Sequence, residues 1–417
     1  MGIRKALLVF TCILVSHSLL LAQTEYTGQT IEEIFALPDE EIDLGIACLV
    51  LAKDAYPNMK VEVFDNILDY MANQINMLMQ GNTHPEARIA MMNTYLYRPG
   101  WWNDSLTFTY DLDDLEAAKK DNQFLNGYLA TRLGSCITMP MLHLVLADRL
   151  GWPIQAVRSP KHFFARYMDE SLKDKNIEAT CGGAFISDQR YVTDVEIPEK
   201  AIKNGVYLRT LSKKEYIASL LLSNARHFHE RESNLEKAMY YLHLAVSIDS
   251  TLSSGFWNLG ITYRLFAKKL EKQMISEMNG AYMVHKAELT AMQQRRFNES
   301  LSKPNVYSVK LPEPPKPSLM PQGWKPPSTF PLQTPSQPYH RTPTQQEKQL
   351  PAIKQRELQG EINVIRARYI PQIEEALARS DWCKRKAEDL GIVHKFPEGF
   401  FLRQAKSIEE FKKTGNY

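Results

Sequence analysis

The stretch from Arg132 to Tyr167 constrains the fold of this chain more than any other. It begins Arg-Leu-Gly-Ser-Cys-Ile-Thr-Met-Pro, continues as a mostly apolar run, and passes through Gly-Trp-Pro into residues typical of strands. Because Pro140 is tolerated only in a first helical turn, we expect a helix that begins near Ile137 or Thr138 and ends at Gly151. A helix that is apolar around most of its circumference is buried. The stretch therefore predicts a buried helix followed by a sheet.

Helical patterns precede this stretch. Residues 29–79 have helical periodicity, with Thr30 and Glu33 spaced as a capping box and Pro57 as a break, and residues 87–99 suggest a further short helix. After the buried helix, four short segments have the composition of strands bounded by turns. They are residues 154–158, 162–167, 176–180 and 189–193. The predicted fold class is α+β, with helices first and then a small antiparallel sheet.

Composition limits the classes of partner. The 417 residues carry a net charge of +2, with 44% hydrophobic and 24% charged residues, as in an ordinary globular protein. This length suggests two or three domains. The sequence shows no clustered basic patch with interleaved aromatics, so we expect no nucleic-acid partner. After the N-terminal segment no stretch is apolar enough to predict a membrane span.

Residues 1–22 have the pattern of a signal peptide. A short basic start precedes the apolar run from Ala6 to Leu21, and Ala22 followed by Gln23 is a plausible cleavage site. We therefore expect an exported protein, periplasmic or secreted. An uncleaved anchor is the alternative, because Leu20 is larger than the small residue preferred three places before a cleavage.

Cys136, His162 and Glu178 are the candidate catalytic residues. A cysteine at the start of a helix, a histidine and an acid are the parts of an activated thiol nucleophile. The helix N-terminus and the imidazole would favour the thiolate, and the carboxylate would fix the tautomer of the imidazole. The backbone N–H of Cys136 would be an oxyanion donor. Two alternatives stay open, a structural cysteine in the core and a disulfide between Cys136 and Cys181.

No metal or cofactor is expected. The cysteines form no CxxC pair, and His227 and His229 lie two places apart on a predicted helix, where their side chains diverge. The acidic run from Asp111 to Asp114 lacks the glycine and ligand spacing of a calcium loop, so we interpret it as a solvated, N-capping turn.

Several short motifs follow one another in a consistent order over nearly half of the chain. They are Ile46-Ala-Cys-Leu-Val-Leu-Ala-Lys53 with Tyr56-Pro57, Asn126-Gly-Tyr-Leu129, Arg132-x-Gly134, Ala147-Asp-Arg-Leu-Gly-Trp-Pro153, Pro160-Lys-His-Phe-Phe-Ala-Arg166 and Ile177-Glu-Ala-Thr-Cys-Gly-Gly183. In this order, residues 30–200 resemble the SirB-type transglutaminase-like family, the second of the transglutaminase-core families. The resemblance implies a papain-like domain with a Cys-His-Asp triad, carried here by Cys136, His162 and Glu178. It also implies a cysteine enzyme that acts on a protein or peptide amide by acyl transfer or hydrolysis.

The chain departs from the family pattern at the site itself. Many SirB-type members have proline where this chain has Cys136, which implies that they lost the nucleophile. Glu178 stands in place of the usual aspartate, and Lys161 in place of a glycine. Lys161 would favour an anionic substrate or point to solvent, and Trp101 and Trp102 would line an acyl-acceptor groove or simply pack. The rival hypothesis is an inactive domain that serves as a protein-binding module.

Composition also predicts where the domains divide. We expect the transglutaminase-like domain at residues 23–210 and helical repeats of tetratricopeptide type at 211–300, with Asn234 as a helix cap. A proline-rich linker follows at 301–345, and then a C-terminal helical segment at 346–417. The repeats and the proline-rich arm would recruit a protein partner.

Overall fold

The computed structural model describes residues 29–172, 175–302 and 352–414. The predicted signal peptide and nearly all of the predicted proline-rich linker lie outside these residues. The chain divides into two compact units, one formed by Met1–Thr262 with Ser380–Tyr417 and the other by Tyr263–Arg379. Within the described residues, no helix has the length and apolarity needed to cross a membrane.

The α-helices of the described residues follow in chain order. They are α1 Ile31–Ala36, α2 Leu44–Lys53, α3 Val61–Met79, α4 Pro85–Tyr97, α5 Leu125–Thr131, α6 Thr138–Arg149, α7 Asp188–Val195, α8 Glu199–Lys203, α9 Lys213–Glu230, α10 Leu235–Ile248, α11 Ser253–Ser302, α12 Ala352–Leu390 and α13 Phe400–Thr414. Short 3-10 turns lie at Asp39–Glu41, Trp101–Asn103, Lys120–Asn122 and Ala179–Cys181.

The strands of the described residues form two sheets. They are β1 Thr109–Tyr110, β2 Leu133–Gly134, β3 Ile154–Ser159, β4 His162–Tyr167, β5 Asn176–Glu178, β6 Ala184–Phe185 and β7 Thr210–Leu211. The larger sheet has the order β6-β5-β4-β3-β7 and is antiparallel throughout. β1 and β2 pair in parallel, with Tyr110 beside Gly134. The predicted α+β class is confirmed.

Local sequence determines where the first helices begin. The Thr30 hydroxyl accepts from the backbone N–H of Glu33, whose carboxylate accepts from the N–H of Thr30, so the predicted capping box is present at α1. Asp43 caps α2 through its carboxylate alone, which accepts from the backbone N–H of Ile46. α6 begins at Thr138, as Pro140 requires, and every residue from Thr138 to Ala147 is buried. The predicted buried helix is therefore confirmed.

The predicted strand at residues 189–193 is wrong, because these residues lie in α7. Tyr191 and Val195 are buried one helical turn apart, while the residues between them are more exposed. Tyrosine, valine and threonine favour strands, but here the burial of one helical face outweighs that propensity. The predicted strand at residues 176–180 ends earlier, since Ala179–Cys181 forms a 3-10 turn.

The later helices of the first unit pack onto the sheet and extend its core. Val157 and Phe164 of the hairpin lie in one buried cluster with Phe256 of α11 and with Ala387 and Leu390 at the end of α12. The C-terminal segment therefore packs into the same compact unit that contains the sheet.

The second unit contains the later part of α11 and the earlier part of α12. One buried apolar cluster joins these two helices: Met274, Met278 and Ala281 with Leu358, Ile362 and Ile365. A contact of 3.0 Å between His285 Nε2 and Glu361 Oε2 lies beside the cluster. α12 continues through Pro371 without a break.

Candidate functional site

Cys136 lies in the turn that opens α6. The buried hydroxyl of Ser135 accepts from the backbone N–H of Ile137 at 3.0 Å and of Thr138 at 3.4 Å. The same hydroxyl donates to the backbone carbonyl of Asn122 at 2.7 Å. Ser135 therefore caps the helix and ties it to a neighbouring loop, which holds the Cys136 thiol at the positive end of α6.

The residue before this serine must be small. A Cβ atom on Gly134 would lie 2.5 Å from the ring of Tyr128, a separation that real Cβ atoms do not show. Tyr128 is fully buried in α5, so it has little room to move away. The Gly-Ser-Cys sequence thus combines close packing, a helix cap and a half-buried thiol in consecutive residues.

The acidic loop behind the cysteine is buried, so its interpretation as a solvated turn is wrong. Asp111 and Asp114 are both buried, and the side-chain amide of Asn122 donates to each of them, at 2.9 Å and 2.7 Å. Lys119 forms an ion pair with Asp111 at 2.8 Å. Since the carbonyl of Asn122 accepts from Ser135, this network supports the turn that contains Cys136.

His162 and Glu178 meet across two neighbouring strands. His162 opens β4 and Glu178 ends β5 on the adjacent strand. His162 Nε2 lies 2.7 Å from Glu178 Oε2, and both side chains are largely buried. The Glu178 carboxylate thus holds the imidazole by one nitrogen and leaves the other, Nδ1, for a second partner.

Every hydrogen bond that Glu178 accepts helps to keep it ionised. Oε1 accepts from the backbone N–H of Thr180 at 3.1 Å and from its hydroxyl at 2.6 Å. Oε2 accepts from the Tyr191 hydroxyl at 2.6 Å in addition to its contact with His162. Burial raises the pKa of Glu178, but the charge of His162 and these hydrogen bonds outweigh burial and lower it below its ordinary value.

The pKa of His162 is raised above its ordinary value. Burial lowers the pKa of this imidazole, but the Glu178 carboxylate and the Cys136 thiol outweigh that effect. The positively charged imidazolium is therefore favoured at neutral pH. Nδ1 is buried and has no hydrogen bond of ordinary geometry, although Cys136 lies close enough to raise the pKa of the ring. Cys136 Sγ itself lies 3.5 Å from the backbone oxygen of Lys161.

Two tyrosines of the site were not predicted from the sequence. Tyr191 was missed because its segment has a strand-like composition, and its ring stacks on Phe164 at 4.1 Å. Tyr110 is buried close to Cys136, and its hydroxyl donates to the backbone carbonyl of Leu115 at 3.3 Å. Burial and the neighbouring thiol raise the pKa of Tyr110 well above its ordinary value. No local motif marks either residue, since both reach the site through tertiary packing.

A cavity of about 650 Å³ opens onto Cys136 and His162. Lys161 lies on its wall, in the turn that joins β3 to β4, with a φ of 51°. Other parts of the wall come from α9, from the start of α11 and from the segment 392–404. This volume lies within the range of about 300 to 1,000 Å³ that is typical of ligand sites.

The two predicted groove tryptophans lie elsewhere. Trp101 is exposed, and the indole N–H of Trp102 donates to the carbonyls of Thr94 and Arg98 at 3.2 Å and 3.3 Å. Neither tryptophan lines the cavity that contains Cys136. The structure thus brings Cys136, Lys161 and His162 to one cavity and leaves these two aromatic side chains apart from it.

The other thiols differ from Cys136 in environment. Cys181 and Cys136 are separate free thiols, so the structure does not contain the disulfide alternative. Burial and the nearby Glu178 raise the pKa of Cys181 to about 12, and burial raises that of Cys48 still further. Among the described residues, no group of three potential metal ligands is close enough together to bind an ion.

Comparison with known proteins agrees with this architecture. Residues 63–221 match the family model described as the transglutaminase-like superfamily. A UPF0162 protein of Xylella fastidiosa strain Temecula1 is 25% identical over 128 residues, which are 31% of this chain and 43% of that protein. A UPF0162 protein of strain 9a5c matches with the same figures. The match thus spans less than half the length of these curated relatives, and no solved structure matches significantly.

Proposed function

Given that residues 63–221 form a domain of the transglutaminase-like superfamily, we propose that this protein is a cysteine enzyme that attacks an amide of a protein or peptide. One observation carries the proposal. Glu178 holds His162 by Nε2, and the buried Nδ1, left without an ordinary partner, lies near the thiol at the helix start. An oriented imidazole beside a cysteine at a helix N-terminus is the arrangement that activates a thiol.

In the proposed mechanism, the Cys136 thiolate attacks the amide carbonyl carbon and a C–S bond forms. The backbone N–H of Cys136 would donate to the developing oxyanion. His162 gives its proton to the leaving nitrogen as the C–N bond breaks, and a thioester remains. His162 then accepts a proton from water or an amine, which attacks the thioester and restores the thiol.

Glu178 would act through the imidazole. Its carboxylate keeps the ring oriented and stabilises the imidazolium, while Thr180 and Tyr191 hold the carboxylate itself. Glutamate is longer than the aspartate that the resemblance implies, yet the 2.7 Å contact with His162 supports the same role. The rival hypothesis of an inactive binding module has no comparable observation in its favour.

The proposal is tested by measuring ammonia release from glutamine-containing peptides, with and without a primary amine, and new peptide ends in the same samples. Wild-type protein should release ammonia or cleave the peptide, and the Cys136→Ala and His162→Ala variants should lose this activity. Cys181→Ala removes a neighbouring thiol that does not line the cavity, so this control should retain it. Equal turnover in the wild type and Cys136→Ala would refute the proposal.

A second measurement tests the thiol without a substrate. Cys136 in folded protein should be alkylated by iodoacetamide faster than Cys181, whose pKa is raised by burial. The rate at Cys136 should fall in His162→Ala, because the imidazolium that stabilises the thiolate is lost. A rate at Cys136 that does not depend on His162 would contradict the proposed pair.

We also propose that the protein is exported, on the basis of the signal-like residues 1–22. The helices from Lys213 onward, with the tetratricopeptide-like spacing noted in the sequence, and the proline-rich stretch would recruit a protein partner. Mass spectrometry of the mature N-terminus after expression of the full chain tests the first point. A mature chain that retains Met1 in the cytosol would contradict it.

A further inference from the structure

We propose that the cavity beside Cys136 selects substrates with a large apolar side chain next to the attacked amide, and that residues outside the matched domain create this preference. The inference rests on the proposed function for its substrate. It adds a specificity-determining wall formed by the start of α11 and by the C-terminal segment 392–404, which lie beyond residues 63–221.

The wall carries large apolar side chains where these two segments meet, interspersed with the polar side chains of Ser254, Asn258, Thr262, His394 and Gln404. α11 contributes Trp257 and Ile261 to the cavity, and the C-terminal segment contributes Ile392, Val393 and Phe400. Cys136 and His162 line the same cavity. A ligand attached to the thiol thus shares one cavity with these large apolar side chains.

Several contacts hold this wall in place. The backbone N–H of Val393 donates to the Tyr207 hydroxyl at 3.4 Å, and the rings of His394 and Trp257 lie 3.9 Å apart. On α13, Ile408 is buried, and this helix contacts the turn Ala179–Cys181 that follows Glu178. The wall is therefore held by contacts with Tyr207 and with the turn after Glu178.

The arrangement of α13 explains why Phe400 lines the cavity. Phe400, Gln404 and Ile408 recur every four residues and so lie on one face of this helix. Phe400 and Gln404 line the cavity, and Ile408 is buried. Leu402 lies on another face and is 67% exposed. The same helix thus offers a matched control residue of similar chemistry.

The charged groups on the cavity wall are largely paired. Arg158 forms a buried ion pair with Asp249 at 2.7 Å, and Arg226 pairs with Glu230 at 2.9 Å. The Lys161 ammonium lies 5.2 Å from the centre of the Phe396 ring. Because these charges already have partners, the side of the cavity near Trp257 and Phe400 favours an apolar group over an anionic one.

The cavity also has more room than one carboxamide side chain needs. At about 650 Å³ it can take the reacting amide together with a neighbouring side chain of the substrate. An aromatic or branched aliphatic neighbour would bury its surface against Trp257 and Phe400, whereas a glycine would leave that surface unused.

The test uses two covalent probes on the full chain, chloroacetamide and N-benzyl chloroacetamide. Both react with a thiol by displacing chloride, and they differ only in the apolar ring. Peptide mass spectrometry gives the rate constant of each probe at Cys136. The preference is the ratio of the benzyl rate to the chloroacetamide rate. In wild-type protein this ratio should be about tenfold higher at Cys136 than at a small free thiol.

Phe400→Ala should reduce that preference several-fold, while the rate with plain chloroacetamide stays within about twofold. Trp257→Leu serves as a second variant that keeps an apolar side chain at its position, since Trp257 and Phe400 both pack against the buried cluster and a truncation could lower stability. Leu402→Ala, on the exposed face of the same helix, should keep the wild-type preference. Thermal melting of each variant identifies any loss of folding.

The result separates this inference from the proposed enzyme. The proposed selectivity of the wall would be refuted if wild-type protein showed no preference for the benzyl probe. It would also be refuted if Leu402→Ala lost as much of that preference as Phe400→Ala. A preference that depends on Phe400 and Trp257 would support the wall even if no amide is turned over. In that case the enzymatic proposal alone would fail.

Discussion

Glu178 and Asp249 are two buried carboxylates with the same local motif and different partners. In each case a threonine two residues later donates its backbone N–H and its hydroxyl to one carboxylate oxygen. The other oxygen of Glu178 meets His162, and that of Asp249 meets Arg158, both at 2.7 Å. The threonine motif positions each carboxylate, and the residue that contacts the other carboxylate oxygen determines what the pair can do.

The difference lies in whether the partner can lose its charge. A guanidinium stays protonated at any ordinary pH, so the pair of Arg158 and Asp249 is a permanent link between β3 and the residues after α10. An imidazole can give up a proton, so the pair of His162 and Glu178 can take part in chemistry. His162 follows Arg158 by four positions along one hairpin.

The largest expected contrast between the two carboxylates is in activity. If the proposed mechanism holds, Glu178→Gln should lower kcat by about a thousandfold, because the imidazole loses both its orientation and its compensating charge. The loss should still be smaller than in His162→Ala. Asp249→Asn should lower kcat by less than about tenfold, since this carboxylate contacts no reacting group. Steady-state rates with a glutamine peptide measure the contrast, and equal losses would contradict it.

The next contrast is in the free energy of unfolding, to which the pair of Arg158 and Asp249 should contribute more than the pair of His162 and Glu178. Arg158→Met should lower the free energy of unfolding by about 3 kcal/mol, because it leaves the buried Asp249 carboxylate with only the longer contact to Arg209 at 3.5 Å. His162→Gln should lower it less, since glutamine can still donate to Glu178. Urea unfolding of both variants checks this order. A larger loss in His162→Gln would show that the pair of His162 and Glu178 is the main structural link.

The pH dependence of stability should also separate the pairs. The pKa of His162 is raised in the folded protein, so its contribution is complete below the ordinary value of about 6.5 and is lost as pH rises through the raised value. The pKa values of Glu178 and Asp249 are lowered, so their contributions are lost only as pH falls through the lowered values.

The stability gap between wild type and His162→Gln should therefore shrink from neutral pH into the alkaline range. The gap between wild type and Arg158→Met should stay constant over that range, because guanidinium groups keep their charge and the pKa of Asp249 is lowered. Urea unfolding in a series of buffers provides both curves. If the two stability differences shrink in parallel, the identity of the partner does not set the pH dependence of the two carboxylate pairs.

The smallest effect should come from the one donor that Glu178 has and Asp249 lacks. Tyr191→Phe removes the hydroxyl that donates to Glu178 and keeps the ring stacked on Phe164. We expect a loss of about 1 kcal/mol in the free energy of unfolding and a loss of several-fold in kcat. Tyr70→Phe, at a site that is 57% exposed, is the matched control and should change neither.

The sequence predicted the parts of the site that local patterns determine. Pro140 limited where α6 could begin, and that start places Cys136 in the capping turn. His162 opens the strand that the pattern indicated, and the strand predicted for Glu178 begins where expected. The transglutaminase-like domain suggested by the motifs matches the family model, while the SirB-type subfamily and the repeats stay predictions.

Contacts between distant residues account for what was missed. The segment around Tyr191 has the composition of a strand. It forms a helix because one of its faces is buried against Phe164. Asp111 appeared to be a solvated turn residue because its partner Asn122 comes eleven positions later and no local pattern joins them. The wall at Trp257 and Phe400 depends on packing between segments far apart in sequence.

The cluster that joins the hairpin to the C-terminal residues sets a practical limit on how the protein can be divided. Val157 and Phe164 are fully buried there, partly by Phe256, Ala387 and Leu390. A fragment ending at residue 210, the boundary that composition suggested, would expose this apolar surface of the sheet to water. Such a fragment should therefore aggregate when expressed alone, and studies of the thiol should use the full chain.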